Sequence, residues 1–181
     1  MKKALLSLIV IAMLFTMCKN EAKTTRATLI QQISDMETEL VNSDYTVAFE
    51  KSQKLMDVYK EFVSDYPSDT LAPEMLMRCA MVAAGSNQEM YAVTLFKQIY
   101  NDYPQSSLRS EALFREAFTY DNMGNPDQAK PLYEQFLVEF PGDPLTNDVK
   151  ILLENVGKSP EELIQYLLEN NLIEEDNDLV L

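Results

Sequence analysis

The chain has 181 residues, of which 15 are basic and 29 acidic, so its net charge is −14 and its isoelectric point is about 4.3. An acidic chain without a basic cluster is repelled by phosphate backbones, which argues against a nucleic-acid-binding protein. With no histidine and only four glycines, the chain lacks histidine-based nucleophile systems, histidine metal ligands and a glycine-rich phosphate loop. The composition favours a non-catalytic protein with no cofactor.

The first 17 residues have the form of a secretory signal. Met1, Lys2 and Lys3 precede an apolar run from Ala4 to Phe15, as in a positively charged n-region followed by a hydrophobic h-region. Twelve residues of helix span roughly 18 Å, which is short of the ~30 Å hydrocarbon core of a bilayer. A permanent membrane span is therefore the weaker interpretation.

Cys18 directly follows the signal segment. The arrangement resembles a bacterial lipoprotein signal, in which the cysteine is lipidated and becomes the mature N-terminus. Met17 stands where such signals favour a small residue, so a cleaved form without lipid and an uncleaved anchor stay open. The resemblance implies lipid attachment at Cys18, with 18–26 as a tether. The mature chain would have 181 − 17 = 164 residues, enough for one hydrophobic core.

The first predicted helix of the mature chain covers residues 27–42. Its apolar residues Leu29, Ile33, Met36 and Leu40 follow one another at steps of 4, 3 and 4, the spacing of a coiled-coil seam. Two heptads are too few to specify a stable coiled coil. The segment is therefore either a helix that caps the rest of the fold or a surface for self-association into a homo-oligomer.

The rest of the chain is organised by a repeat with a period of 37 residues. An aromatic or large apolar residue stands eight and five positions before a proline in each unit, and a leucine stands four positions after it. Recurrence at such a period is typical of repeat architectures. The motifs that mark the period are Asp65-Tyr66-Pro67, Asp102-Tyr103-Pro104 and Glu139-Phe140-Pro141.

Apolar residues at three- and four-residue steps within each unit predict helices, and no segment alternates as a strand would. The prolines end the helices before them, because proline disfavours a helical predecessor. One helix pair cannot bury its apolar face alone, so we expect four antiparallel pairs stacked as an all-α solenoid over 27–171. The predicted helices are 27–42, 46–64, 71–84, 87–101, 107–122, 126–138, 145–156 and 160–171.

Three short motifs are candidate helix starts. Each combines an N-cap residue with a glutamine or glutamate three positions later, the pattern of a capping box. In two of them a proline occupies the first helical position, where its missing N–H is tolerated. The three motifs pair Ser86 with Glu89, Asn125 with Gln128 and Ser159 with Glu162.

The unit that runs from Glu111 to Pro141 resembles a tetratricopeptide repeat. The preceding unit matches less completely, because Ala83 and Asn87 stand where the family prefers an aromatic residue and a glycine. The resemblance implies a helix-hairpin solenoid of about four pairs that binds protein segments in its concave face and carries no catalytic activity. In order along the clearest unit, the residues on the family's characteristic positions are Leu113, Ala117, Tyr120, Gly124, Ala129, Tyr133 and Pro141.

The long period and the turn Tyr103-Pro104-Gln105-Ser106 resemble a subgroup of envelope repeat proteins. The subgroup includes the outer-membrane assembly lipoproteins and the repeat domain of the Tol–Pal coordinator. With the signal segment, this resemblance implies a lipid-anchored scaffold or adaptor of the bacterial cell envelope, with the outer membrane favoured and the protein facing the periplasm. The alternative is a self-associating structural accessory of an outer-membrane assembly or Tol–Pal type complex.

The register of the family predicts a partner-binding groove on the first helices of the second and third pairs. If these residues are exposed, they form an apolar groove with an acidic edge that suits an amphipathic helix or an apolar peptide. The same apolar residues could instead pack as core between neighbouring first helices, and both interpretations stay open. The predicted groove residues are Glu74, Met77, Met81, Glu111, Phe114, Phe118 and Asp121.

Two remaining features predict no site. Cys79 stands where the family has a large apolar residue, so we expect a buried and unreactive thiol. If Cys18 is lipidated, an intramolecular disulfide is impossible. The acidic run 174–178 lacks the glycine and the spaced final glutamate of a calcium loop, so 172–181 is expected to be a solvated acidic tail without a metal.

Overall fold

The computed structural model describes residues 24–42 and 45–169. These residues form eight α-helices and no strand, which confirms the predicted all-α, helix-hairpin architecture. The signal over 1–17, Cys18, most of the tether and the acidic tail over 172–181 lie outside the described residues. The helices are α1 (Arg26–Val41), α2 (Tyr45–Asp65), α3 (Ala72–Gly85), α4 (Glu89–Asp102), α5 (Arg109–Asn122), α6 (Pro126–Glu139), α7 (Thr146–Asn155) and α8 (Pro160–Glu169).

The helices form four hairpins that follow one another along the array. Every helix start, and every helix end up to α7, lies within two residues of its predicted position. The three repeat prolines come two residues after the ends of α2, α4 and α6, as expected for residues that stop a helix. From α1 to α7 each helix packs against the next one in the chain, which is the nearest-neighbour contact pattern of a solenoid.

The buried apolar residues form two clusters. The N-terminal cluster joins α1 to α4 and includes the fully buried Tyr59 and Phe62, with Ala112 at its far edge. The C-terminal cluster joins α5, α6 and α7 and centres on Tyr133 and Phe136. The boundary between the two clusters runs through α5, and therefore through the junction between the second and third hairpins.

Helix α1 packs into the array as the first helix of the first hairpin. Leu29 and Ile33 are buried, and Met36 and Leu40 are partly buried against the N-terminal cluster. The coiled-coil-like seam is therefore used inside this chain, as the capping interpretation of 27–42 expects. A homo-oligomer through 27–42 would have to use the remaining, mostly polar side of α1.

The turns between hairpins share one capping contact. The backbone N–H of Leu71 donates to Oδ1 of Asp69 over 2.9 Å, and the N–H of Leu145 donates to Oδ1 of Asp143 over 2.9 Å. Between them, Ser106 Oγ accepts from Leu108 N–H over 3.1 Å. Side-chain oxygens at these positions satisfy donors that a helix start leaves without a partner. These contacts could have been predicted from the sequence, since each of the three side chains stands two positions after a repeat proline.

The turns within the second, third and fourth hairpins each contain one residue in the left-handed region. These residues are Asn87 with φ 57°, Gly124 with φ 66° and Gly157 with φ 79°. Asparagine tolerates this conformation better than most residues with a Cβ. The departure from the family pattern at Asn87 therefore preserves the turn. At Gly157 a Cβ would also come within 3.0 Å of the Pro126 Cβ.

The predicted capping boxes have three different outcomes. Ser159 and Glu162 form the reciprocal box, with each backbone N–H donating to the other side chain over 2.7 and 3.2 Å. Asn125 is the N-cap of α6, but its side chain makes no capping hydrogen bond, so that box was wrong. The prediction of Ser86 as an N-cap was wrong: Ser86 is the C-cap of α3, where its hydroxyl hydrogen-bonds that of Ser52, and Gln88 is the N-cap of α4.

Candidate partner-binding groove

Helices α3 and α5 carry all seven predicted groove residues. They are first helices of adjacent hairpins, and α4 packs against both of them. The residues on each helix are spaced by three or four positions, so they lie on one side of it. The structure thus brings the predicted residues into two neighbouring rows, although their exposure differs sharply.

The apolar members of the predicted groove divide between core and surface. Met77 is only 6% exposed and belongs to the N-terminal cluster, so it is a core residue and no partner can reach it in this conformation. Phe114 is partly buried, with its ring 6.4 Å from that of Phe136. Met81 and Phe118 are 49% and 39% exposed, and the Phe118 ring stacks on Phe114 with centroids 5.7 Å apart.

Met81 and Phe118 face a cleft between α3 and α5, which we call the α3–α5 cleft. Its floor includes Phe96 from α4, and its volume is about 280 Å³. Small-molecule sites are typically about 300–1,000 Å³, so this cleft suits a side chain of a bound segment better than a whole ligand. Its lining residues are Met81, Ala84, Glu89, Phe96, Arg115, Phe118, Thr119 and Asn122.

The acidic members of the predicted groove are paired with arginines of the same helices. Glu74 accepts from Arg78 over 2.6 Å, and Glu111 accepts from Nε of Arg115 over 2.7 Å. Arg78 also pairs with Glu37 of α1 over 3.0 Å, and its two carboxylate partners raise the pKa of its guanidinium. The predicted acidic edge is therefore a row of ion pairs.

Asp121 lies at the end of the α5 row. Its carboxylate accepts from the hydroxyl of Tyr133 on α6 over 3.3 Å. Burial raises the pKa of Asp121, while the hydrogen bond from Tyr133 works in the opposite direction. Asp121 thus ties α5 to α6, and it does not line the α3–α5 cleft.

Sequence reasoning missed the two arginines and Glu37. The repeat could have revealed them. Glu37, Glu74 and Glu111 are 37 residues apart, as are Arg78 and Arg115. The contribution of Phe96 was also missed. Phe96 is 2% exposed, and it still lines the cleft.

A larger cavity of about 790 Å³ lies where the end of α1, the start of α2 and the end of α3 meet. Leu40, Phe49 and Val82 form its apolar walls, and Ser52 and Ser86 share a hydrogen bond of 3.0 Å within it. None of the predicted groove residues lines this cavity. The predicted groove therefore corresponds to the smaller of these two cavities.

Cys79 lies inside the N-terminal cluster. Its thiol is 1% exposed and approaches the carbonyl oxygen of Met56 at 3.9 Å. Burial raises its pKa to about 11, against a smaller opposing effect of the Tyr91 hydroxyl. A thiol this protonated and this inaccessible is a poor nucleophile.

The described residues carry neither a metal cluster nor a membrane span. Nowhere in 24–42 and 45–169 do three histidine, cysteine, aspartate or glutamate side chains come close enough to hold a metal ion. None of the helices in these ranges is both long enough and apolar enough to cross a bilayer.

Comparison with known proteins supports the repeat class for one unit. Residues 111–143, which hold most of α5, all of α6 and the start of the following turn, match the tetratricopeptide repeat family. No curated protein sequence matches the chain. Among solved structures, the chain is similar to that of the MamA protein, with 17% identity over 85% of this chain and 82% of that one, at a TM-score of 0.40. Together with the eight-helix array, the family match defines the fold as a tetratricopeptide-like helical repeat.

Proposed function

We propose that the protein is a non-catalytic scaffold or adaptor that binds a segment of another protein in the α3–α5 cleft. One observation carries the proposal: the exposed side chains of Met81 on α3 and Phe118 on α5 line the same cleft, together with the buried Phe96 of α4. Exposed apolar patches on folded proteins commonly mark interaction sites. Methionine adapts its shape to a partner, and an aromatic ring supplies a rigid contact.

The chemistry of the chain supports a binding role over a catalytic one. The sequence has no histidine, so the commonest general base is missing. The thiol of Cys79 is buried in the core, and the carboxylates of Glu74 and Glu111 are paired with arginines. A scaffold needs none of these groups as an acid, base or nucleophile.

The location follows from the sequence of the N-terminal segment. Lys2 and Lys3, the apolar run up to Phe15 and then Cys18 support a lipid-anchored protein of the bacterial envelope, with the outer membrane favoured and the repeat domain facing the periplasm. Metabolic labelling with a palmitate analogue tests this: we expect label on the wild-type chain and none on Cys18→Ala. Label retained by Cys18→Ala, or absent from both, would refute lipid attachment at this residue.

Site-specific crosslinking in cells tests the binding role. A photo-reactive amino acid at position 118 is expected to capture a discrete partner. The matched control places the same group at Val138, which is 80% exposed on α6 and lies outside the cleft. Equal capture from both positions, or none from position 118, would speak against the cleft as the binding surface.

A further inference from the structure

The repeat places equivalent charges on the first helices of the first three hairpins. Glu37, Glu74 and Glu111 occupy one repeat position, and Arg78 and Arg115 occupy another. If the array were strictly periodic, each arginine would pair with the glutamate of its own helix and with that of the preceding hairpin. The structure follows this pattern between the first and second hairpins and departs from it between the second and third.

At the first junction the arginine is fully engaged. Nη1 of Arg78 donates to both carboxylate oxygens of Glu37, over 3.0 and 3.1 Å. Its Nε and Nη2 donate to Glu74 over 3.1 and 2.6 Å. A guanidinium has five N–H donors, so two carboxylates leave Arg78 little capacity for a partner.

At the second junction the arginine is half engaged. Arg115 donates from Nε to Glu111 over 2.7 Å. Glu74, the residue that periodicity would offer to its other edge, is held by Arg78. Within the part of the chain that the structure describes, no side chain or carbonyl accepts from Nη1 or Nη2 of Arg115. The planar edge of a guanidinium is well matched to a carboxylate.

Arg115 is one of the residues that line the α3–α5 cleft. Phe118 is another, and about a third of the Arg115 side chain is exposed. Phe118 comes three residues after Arg115, so both lie on the same side of α5. An apolar contact and an unfilled guanidinium edge are therefore presented together to whatever enters the cleft.

We infer that the cleft binds an amphipathic helical segment of a partner protein that carries one acidic side chain about one turn from a large apolar side chain. The apolar side chain packs between Met81 and Phe118, and the carboxylate takes the open edge of Arg115. A run of acidic residues does not fit, because Glu89 and Glu111 stand beside the same cleft. This inference rests on the proposed function and adds the chemistry of the partner.

The acidic charge of the chain also disfavours a second copy as the occupant. The net charge of −14 makes two copies repel each other at long range. A single buried pair at Arg115 is favourable for a partner whose own charge is near zero or positive. The attraction is then confined to one contact, between a carboxylate of the partner and the guanidinium of Arg115.

The test is a selection of displayed random amphipathic peptides on the full chain, run in parallel on three variants. Arg115→Gln removes the open edge, Phe118→Ala removes the apolar contact, and Arg26→Gln is the control, because Arg26 pairs with Asp69 and lies outside the cleft. The fold of each variant is checked by circular dichroism. We expect wild-type selections to enrich an acidic residue three or four positions from a large apolar one, and Arg115→Gln selections to lose that enrichment.

A selected peptide then serves as the probe for affinity. Replacing its acidic residue by the amide is expected to weaken binding to wild type by roughly tenfold, the range of a charge-assisted hydrogen bond. The same replacement should have no effect on binding to Arg115→Gln and should keep its full effect on Arg26→Gln. Binding should also weaken as salt is added.

Two outcomes separate this inference from the proposed function. If selected peptides require Phe118 but show no acidic preference, the inference about Arg115 is overturned and the cleft remains a binding site. If peptides bind Phe118→Ala as well as wild type, the cleft is not the binding site and both proposals fall.

Discussion

The two ends of the array bury their apolar residues very differently. In the first hairpin, Leu29 and Ile33 of α1 and Leu55, Tyr59 and Phe62 of α2 are all buried. In the last hairpin the one buried apolar residue among those described is Val149 of α7, while Leu163 and Ile164 of α8 are 37% and 52% exposed. The apolar spacing of α8 is as regular as that of α2, so the sequence pattern does not explain the difference.

The difference comes from what stands next to each helix. Helix α2 packs between α1 and α3, whereas α8 lies at the end of the array and approaches its neighbours only sparsely. In an array with nearest-neighbour contacts, stability is a sum of local terms. We therefore expect free energy of unfolding to be concentrated in α2, α3 and α4 and to be smallest at α8.

The largest expected effect comes from truncating the core of the first hairpin. Phe62→Ala should lower the free energy of unfolding by about 3–5 kcal/mol, because Phe62 is fully buried. Ile164→Ala, on the half-exposed face of α8, should cost at most about 0.5 kcal/mol. Urea unfolding of both variants measures the contrast.

Native-state hydrogen exchange provides the control for this contrast. Amides of α8 should exchange through local opening, and those of α2 only through larger unfolding. Equal costs for Phe62→Ala and Ile164→Ala would mean that α8 is as firmly packed as the first hairpin. The comparison between the ends would then be wrong.

A second contrast lies in the capping carboxylates of the turns. Asp69 and Asp143 make the same bond to a backbone N–H, but Asp69 also accepts from Nη2 of Arg26 over 3.1 Å. Arg26 and then the Leu71 N–H lower the pKa of Asp69. Loss of the hydrogen bond to the backbone N–H alone should lower the stability of Asp143→Ala by about 1 kcal/mol, and Asp69→Ala should lose more.

Arg26→Gln separates the two contributions of Asp69. It removes the ion pair and leaves the cap, so its loss of stability should be small and should shrink further as salt is added. If Asp69→Ala and Asp143→Ala lose the same free energy of unfolding, the ion pair between Arg26 and Asp69 adds nothing to stability. The turn between α2 and α3 would then be no more stable than the turn between α6 and α7.

Helix positions could be predicted because their determinants are local. Prolines such as Pro67 and Pro104 stop the helices, and Gly124 permits the left-handed turn whatever surrounds it. The burial of individual side chains was harder to predict than the helix positions. Met77 and Met81 are four residues apart on α3 and received the same interpretation, yet the first is core and the second is exposed. Met77 belongs to a cluster whose members come from α1 to α4, and so from residues distant in the sequence.

The charged contacts of the groove show the same limit. Periodicity alone would have paired Arg115 with both Glu74 and Glu111, as it pairs Arg78 with two glutamates. The competition for Glu74 is settled by geometry that the sequence does not contain. The missing cap at Asn125 is a smaller case, since its own backbone N–H bonds the Tyr120 carbonyl in the preceding turn.

The third contrast concerns the inner faces of α3 and α5, where Cys79 and Glu116 occupy equivalent repeat positions. Glu116 is only 4% exposed. Burial raises the pKa of Glu116, and the charge of Lys97 opposes this. Between the ordinary pKa and this raised one the folded state binds the proton more tightly, so the contribution to stability falls as pH rises through that window.

Glu116→Gln should therefore be more stable than wild type at pH 7, by about 1 kcal/mol, and the gain should fade towards pH 4. Glu139→Gln is the control of opposite sign, because the Tyr100 hydroxyl, Gln135 and Arg109 lower the pKa of Glu139. That variant should be less stable at neutral pH, with the difference lost at acidic pH. Urea unfolding across pH 4–8 distinguishes the two, and a gain for Glu116→Gln that does not change with pH would contradict the ionisation argument.

The smallest expected effect concerns how successive turns are linked. The hydroxyl of Tyr103 donates to the Pro67 carbonyl over 3.0 Å, whereas the equivalent Phe140 has no hydroxyl and instead lies 5.4 Å from the Arg109 guanidinium. Tyr103→Phe should cost about 0.5–1 kcal/mol, the net value of one hydrogen bond that competes with water.

Phe140→Tyr is the reciprocal change, since it restores the repeat's hydroxyl in the C-terminal half. If repeat symmetry holds there, the new hydroxyl reaches the Pro104 carbonyl and the gain approaches the loss seen in Tyr103→Phe. A loss of stability in Phe140→Tyr would show that the arginine–aromatic contact has replaced the turn-to-turn hydrogen bond and excludes it. The two halves of the array would then differ in how they are joined as well as in how much they bury.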